Sequence, residues 1–491
     1  MIAPSIAVEG PAWGEPGLTA RAGRYPLAVE APVMAGVDIL VPGVSTLSHY
    51  ALYWALAAHA EATGLDEQRC RWLIRRTEVA LAVISRAAGS DGPDPAPAHG
   101  VDALVRLAPE PGREFSVADR EGQRSYSPRA WGFWSQYGGS SIRLGTVTVD
   151  RGALRSGRHP CPPSIVDMFA PLFEIAERDA GVQEPAALAG RPEDLSALAA
   201  LMTATVAGRH DPDDWTGDDQ TRRATLRILA RACQLHPAMP TWVGAFRKAV
   251  AYGAAVREDS VLAGDDRTQA WRGVLLRHHS VGAWRHLWAA LVGEVHRNGP
   301  VTREHLRDWF ADQLPAGTVA GLEAGLPDLV DGRGDPLPAE LALREDETLA
   351  AKVALLLLGA RRADLLTGTA RRYFLGRRRA YLDPSWVAQR RTEYVDWPLR
   401  DLGRQLVDDM LAQSRRVALR KAKVHRGGTM SMPSRLHERG GAYVAASRES
   451  RDNIGLRINQ LAGLAVQLGL LTPEVHQPVT PLGLALLDVA R

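Results

Sequence analysis

The chain has 491 residues, 45% of them hydrophobic and 23% charged, with three cysteines and a formal net charge of +3. That length and composition suit a globular protein of about two to four domains and exclude a disordered or collagen-like chain. Cys70, Cys161 and Cys233 lie far apart in no CxxC or CxH spacing, which excludes a disulfide framework or thiolate zinc site and points to a reducing cytoplasm.

Residues 1–37 read as an irregular leader. Glu9 and Glu15 sit there amid Pro and Gly, without the basic start and apolar run of a signal peptide. The segment 38–178 reads as an N-terminal helical domain with a β insert. After the Pro42-Gly43 turn, Leu47, Tyr50, Trp54 and Ala57 share one helical stripe, so the spacing predicts an amphipathic helix capped by Ser45 or Thr46. A second helix is predicted over 65–87, and Pro, Gly and Ala make 88–113 a loop. Trp131 to Tyr137 is aromatic, Gly138-Gly139 reads as a turn, and Leu144 to Val149 alternates as a strand does. A helix, then Leu-Gly, then a short strand fits a small winged-helix unit within 126–176 or an ordinary β-hairpin insert.

A linker at 179–195 leads into a central helical domain, 196–323, with turns near 209–219, 236–240 and 262–266. Its longest helix is predicted from Gln269 to His296, with Val281, Trp284, Trp288, Leu291 and Val295 on the apolar face. Gly299-Pro300 stops it and Val301 to Phe310 begins another. Gly and Pro from 324 to 338 mark a boundary, and 340–426 follows as a basic helical segment. The longest strongly apolar stretch, Val353 to Ala360, is far too short to cross a bilayer.

The near-neutral total hides an uneven distribution. From Arg361 to Arg491 there are 23 Lys+Arg against 12 Asp+Glu, a net +11, which leaves the preceding residues at −8. Arg outnumbers Lys along the whole chain, so its placement carries more weight than its abundance. Arg371, Arg372, Arg377, Arg378 and Arg379 are interleaved with Tyr373, Phe374 and Tyr381. Further on, Arg415, Arg416, Arg420, Lys421, Lys423 and Arg426 run into Gly427-Gly428, with Arg435 and Arg439 beyond. Guanidinium groups fork onto phosphate oxygens, and aromatics stack on exposed bases. The competing reading is a solvated helix face bonded to Asp408, Asp409 and other acids.

After a loop at 427–434, residues 435–491 form the last predicted unit. Ile454 to Leu471 is expected to be helical, Val475 to Val479 a short hairpin, and Thr480-Pro481 the cap and first turn of a closing helix. A helix ending in Leu-Gly-Leu-Leu, a short strand and Val-Thr-Pro-Leu-Gly is similar to the end of many bacterial winged-helix domains. The resemblance implies a helix that enters the major groove, flanked here by Arg448, Arg451 and Arg457. Winged helices also serve as protein-docking modules.

Two constellations invite a catalytic reading. Asp211 to Asp219 holds five carboxylates in nine residues, the ligand type that divalent metals take, but Pro212 and Gly217 favour an inter-helix turn. His278, His279 and His286 lie on the long Trp-rich helix without the HExxH spacing of a zinc site. No P-loop, GxSxG, kinase set or recognisable nuclease signature is present. No catalytic residue, metal or cofactor is therefore assigned.

Leu40-Val-Pro-Gly-Val-Ser-Thr-Leu47, leading into Tyr50, Tyr53 and Trp54, resembles a group of uncharacterised bacterial proteins. These open with a Leu-Phe-Pro-Gly-Thr-Ser-Thr turn before an aromatic helix. The likeness extends to Trp271-Arg272 and the helix after it, while Ser48-His49 departs from the pattern. The resemblance implies a role near phage defence or DNA modification, where genes of this group are often found.

The expectation is thus a mainly α, multi-domain helical body with a small winged-helix-like α+β unit at its end. The expected function is a non-catalytic DNA-binding subunit whose acidic body docks other proteins, with no membrane partner. The expected contacts are Arg377, Arg378, Arg379, Arg415, Arg416, Arg420, Lys421, Lys423, Arg426, Arg451 and Arg457. Two alternatives stand beside it. One is a helical metal-dependent enzyme with a site between the 196–297 helices, using the Asp211–Asp219 run or His279 and His286. The other is an assembly scaffold that binds no nucleic acid.

Overall fold

The computed structural model describes residues 49–88, 137–178, 196–375 and 382–426, most of 428–490, and a few isolated positions between 6 and 182. The expected turn at 40–47, nearly all of the leader at 1–37 and the linker at 179–195, and most of the loop at 88–113 lie outside these residues. The fold is mainly helical, with a few small sheets. The described residues fall into two compact units, one within 49–246 and 458–490, the other within 247–456 together with Ile6–Ala7. Among them no helix is long and apolar enough to cross a membrane.

In the first unit, α1 (His49–Ala62) and α2 (Glu67–Ala88) are joined by a turn in which Gly64 takes φ +66°. Tyr50 through Ala57 are all buried, so α1 is enclosed rather than amphipathic as its spacing predicts. The cause is a hairpin and a further helix that pack against it. A short α3 (Gly138–Leu144) ends at Gly145, whose φ of +76° suits a left-handed C-cap. Next come β1 (Val147–Asp150) and β2 (Ala153–Ser156), paired antiparallel. Arg151 and Gly152 both have positive φ between them, the signature of a tight hairpin turn. In α4 (Pro163–Arg178), Ile165, Phe169, Leu172, Phe173 and Ala176 are buried at helical spacing.

The acidic run resolves into caps. Asp211 accepts from the Asp213 N–H at the start of a short 3₁₀ turn. Thr216 and Asp219 form a reciprocal capping box that opens α5 (Gly217–Leu235). Asp219 also takes Arg158 and Arg222. Near the chain's end, Leu471 and Val479 bridge, and Thr480 accepts from the Gly483 N–H at 3.0 Å to cap the helix Pro481–Leu487. Arg223 of α5 holds this helix through the Leu486 carbonyl and the Asp488 carboxylate.

The second unit is built on α6 (Asp266–Asn298), 33 residues long and capped by Asp265. Its Trp271, Trp284 and Trp288 are fully buried. A Cβ on Gly273 would stand 2.3 Å from the Ala370 carbonyl oxygen, so only glycine admits the helix Gly368–Leu375 at this crossing. Past α6 come β3 (Val301–Thr302), α7 (Arg303–Asp312), the short helix Val319–Ala324, α8 (Ala339–Arg344), α9 (Leu349–Leu365), the helix Gly368–Leu375, α10 (Pro384–Tyr394) and α11 (Leu399–Lys421). The last pieces are β4 (Leu436–Arg439) and β5 (Ala442–Ala445). Thr302 caps α7 by accepting from the His305 N–H at 3.2 Å. Leu306 and Phe310 of α7 join Trp288, Val353, Leu402, Leu406 and Met410 in one core.

The sheet order is β3-β5-β4, all antiparallel, with Tyr443 opposite Val301 on one side and Glu438 on the other. This divides the segment expected to form one C-terminal unit, 435–491. Its hairpin at 436–445 takes a third strand from Val301–Thr302, while the helices at 458–487 belong to the first unit. An isolated two-stranded hairpin is only marginally stable, and the strand that completes it lies far upstream, where sequence proximity gives no cue.

Two outcomes follow from this packing. Glu78 is buried, accepts from the Tyr53 hydroxyl at 2.7 Å and the Phe133 N–H at 2.8 Å, and burial pushes its pKa from 4.5 to about 7. A carboxyl that keeps its proton longer when folded stabilises at low pH. The first unit should therefore lose stability as pH rises from 4.5 to about 7, by roughly 3 kcal/mol in all. Thermal melts across that range should slope downward in the wild type and flatten in Glu78→Gln; a flat wild-type profile would refute the assignment. Separately, Gly273→Ala should destabilise the second unit by about 1–3 kcal/mol in urea titrations, because the obstructing atom is backbone and cannot rotate away.

Candidate nucleic-acid interface

α11 divides along its length. Its upstream part buries Leu402, Leu406, Val407 and Met410, and the acids there are already engaged. Asp408 takes Arg303 at 2.7 Å and Arg307 at 3.6 Å. Asp409 receives Arg390 on both oxygens, at 2.8 and 2.9 Å, together with the Trp386 indole at 2.8 Å and Gln405 at 2.9 Å. Arg404 spans Asp308 and Asp401, and Arg400 reaches Asp312 at 3.3 Å. The reading in which Asp408 and Asp409 hold the downstream cluster is thereby displaced: both carboxylates serve arginines of α7 and α10.

No acid follows Asp409 on α11. Arg415 is 75% exposed, and its nearest carboxylate, Glu438, is 3.8 Å away, too far for a hydrogen bond. Arg416 is exposed beside it. The helix continues through Arg420 and Lys421, whose side chains lie outside the described residues. Lys423 and Arg426 are exposed just past the helix end, where Lys423–Val424 pairs antiparallel with Met430–Ser431.

Between the last turns of α11 and the β4–β5 hairpin runs an open groove of about 450 Å³. Leu411, Ala418, Leu436 and Tyr443 give it an apolar floor, with Arg415 on the helix side and Arg439 on the hairpin side. The hairpin turns at Gly440-Gly441, at φ +57° and +79°, and an added Cβ at either would meet nothing within 4 Å. His437 hydrogen-bonds the Ser434 carbonyl oxygen, and burial lowers its pKa below the usual 6.5, so it adds no charge at neutral pH.

The structure gathers the other expected contacts less fully. Arg377, Arg378, Arg379 and Arg457 lie outside the described residues. Arg371 donates to the Ala363 carbonyl at 3.0 Å and closes the end of α9, while Arg372 lies over the Tyr373 ring. Arg451 is exposed but lines a separate pocket with His286 and Trp309, 3.7 Å from Glu347. Arg439 and the glycine pair are the residues that reading by charge clusters undervalued. Their signal was the Gly-Gly flanked by Leu436 to Arg439 and Ala442 to Ala445, a hairpin pattern.

The residues of the metal-enzyme alternative find separate partners. His279 meets Tyr252 at 3.1 Å, His286 meets Glu347 at 3.3 Å, and His278 meets Asn453. Among the described residues no group of three or more His, Cys, Asp or Glu side chains is placed to hold a metal ion. No family model matches the chain, and neither a curated protein nor a solved structure does.

The two halves of α11 should respond differently to substitution. Arg390→Ala strands the buried Asp409 carboxylate and should cost about 3–5 kcal/mol. Arg415→Ala should stay within about 0.5 kcal/mol of wild type. Chemical denaturation of both variants measures this, and equal losses would contradict the division.

Proposed function

We propose that this chain is a non-catalytic DNA-binding subunit of a bacterial multi-protein defence or DNA-transaction system. Its contact surface is the end of α11, the segment through Arg426 and the β4–β5 hairpin. The observation that carries the reading is the run Arg415, Arg416, Arg420, Lys421, Lys423, Arg426, which begins where the acids of α11 end, with Arg415 facing Arg439 across a groove. A helix flanked by a hairpin whose third strand precedes α7 is the arrangement by which a winged helix presents both elements to a duplex. A helix about 10–12 Å across fits the roughly 12 Å major groove of B-form DNA. Support for the wider role comes from the Pro-Gly turn and aromatic helix at the N-terminus, and from the acidic charge of the preceding residues.

A second reading rests on a different observation. Leu419, 55% exposed, lines the same groove beside its apolar floor, and Val424, 75% exposed, follows just past the helix end, which suits a protein partner better than phosphates. Salt dependence separates the two. Six cations engaged with phosphates should give a log–log salt slope of about −5, whereas an apolar docking surface gives a slope near zero.

The triple variant Arg415→Glu, Arg416→Glu, Arg420→Glu should weaken duplex DNA binding about a hundredfold or more while keeping the wild-type melting temperature. Fluorescence anisotropy across a salt series measures both quantities. Unchanged affinity in a folded variant would remove this surface as the contact.

A further inference from the structure

Along the last three turns of α6 the second unit holds a cavity of about 270 Å³, apart from the groove beside α11. His286 and Arg297 reach it from α6, eleven residues apart and so on one face of the helix. α7 contributes Trp309, with Gln313 at its C-cap. Glu347 enters just before α9, and Arg451 from the segment after β5. Residues distant in sequence thus meet at one opening, all of them within one compact unit.

The charged groups at this opening do not close on one another. The Glu347 carboxylate stands 3.3 Å from Nδ1 of His286, 3.7 Å from Arg451 and 3.9 Å from Lys352, each longer than a good N–H···O hydrogen bond. Lys352 instead donates to the Arg344 carbonyl at 2.8 Å. Arg297 spends one terminal nitrogen on Glu294 at 2.8 Å and is otherwise exposed. Burial lowers the pKa of His286 below the usual 6.5, so its ring brings no charge at neutral pH. Two guanidinium groups therefore share the cavity with one carboxylate, and positive charge is in excess. Trp309 packs against the core yet is only half-buried, which leaves part of its ring to the cavity.

We propose that this cavity binds a nucleoside monophosphate, with the base on Trp309 and the phosphate between Arg297 and Arg451. Guanidinium groups fork onto phosphate oxygens, and an aromatic face stacks on any base. The Gln313 amide offers a donor and an acceptor together, the combination that pairs with the edge of adenine. Glu347 accepts from the ribose hydroxyls. At about 270 Å³ the cavity lies near the small end of ligand sites, roughly 300–1,000 Å³, which suits one nucleotide and not two. The site shares no residue with the groove beside α11, so it does not rest on the DNA-binding reading.

The test uses the full chain and titration calorimetry, with adenosine monophosphate as probe. Saturable binding is expected, about tenfold tighter than that of inorganic phosphate or adenosine alone, and tighter than that of a 5′-phosphorylated dinucleotide. Arg451→Gln, at an exposed position, should keep the wild-type melting temperature and weaken binding about tenfold. Trp309→Leu should weaken it by about tenfold or more through lost stacking. Because Trp309 also packs against the core, Arg451→Gln decides the matter if the tryptophan variant does not fold. Absence of saturable binding, equal binding of inorganic phosphate, tighter binding of the dinucleotide, or undiminished affinity in either folded variant would each overturn the proposal.

Discussion

The second unit depends on the burial of α6 along nearly its whole length. Three tryptophans and a run of aliphatic side chains leave little of this helix for water, so every neighbour must present an apolar face to it. α9 and the helix Gly368–Leu375 do so most extensively, with Gly273 setting the closest approach. α7 and β5 complete the enclosure, and through them α6 fixes where α11 and the hairpin stand. The groove between α11 and the hairpin thus follows from a core built elsewhere.

Electrostatics divides the same unit into satisfied and unsatisfied parts. Around Asp308, Asp408 and Asp409, arginines from α7, α10 and α11 find carboxylates at short range, and these pairs hold helices together. Past Asp409, Arg415, Arg416, Lys423 and Arg426 are exposed. Exposed cations of like sign repel weakly in water and are screened by salt.

Local signals in the sequence were read well. The long Trp-rich helix, the Thr480-Pro481 cap, the turn at Asp211–Asp219 and the hairpin after Leu144 all depend on residues within a few positions of one another. Their physics is periodicity, capping and turn chemistry. The uneven charge was also visible, as were Arg415 to Arg426 as a cluster. The reading of α1 as amphipathic did not hold, because its Ala and aromatic residues fit either a one-sided stripe or full enclosure. Only the β1–β2 hairpin and α4 packing on it select the second.

Residue order alone thus set where most of the helices lie and that the basic charge is concentrated late in the chain, but not every bound: Gly138-Gly139, read as a turn, opens a helix, and the helix expected over Ile454 to Leu471 spans Ile458–Gln467. Tertiary structure decided which carboxylate each arginine meets. Asp409 lies six residues from Arg415, yet it pairs with Arg390 on another helix, and the hairpin's third strand comes from Val301–Thr302. It also decided that His286, Trp309 and Arg451 line one cavity. Capping and periodicity act over one or two helical turns, whereas charge pairing and desolvation depend on which distant segments the core brings within a few ångströms.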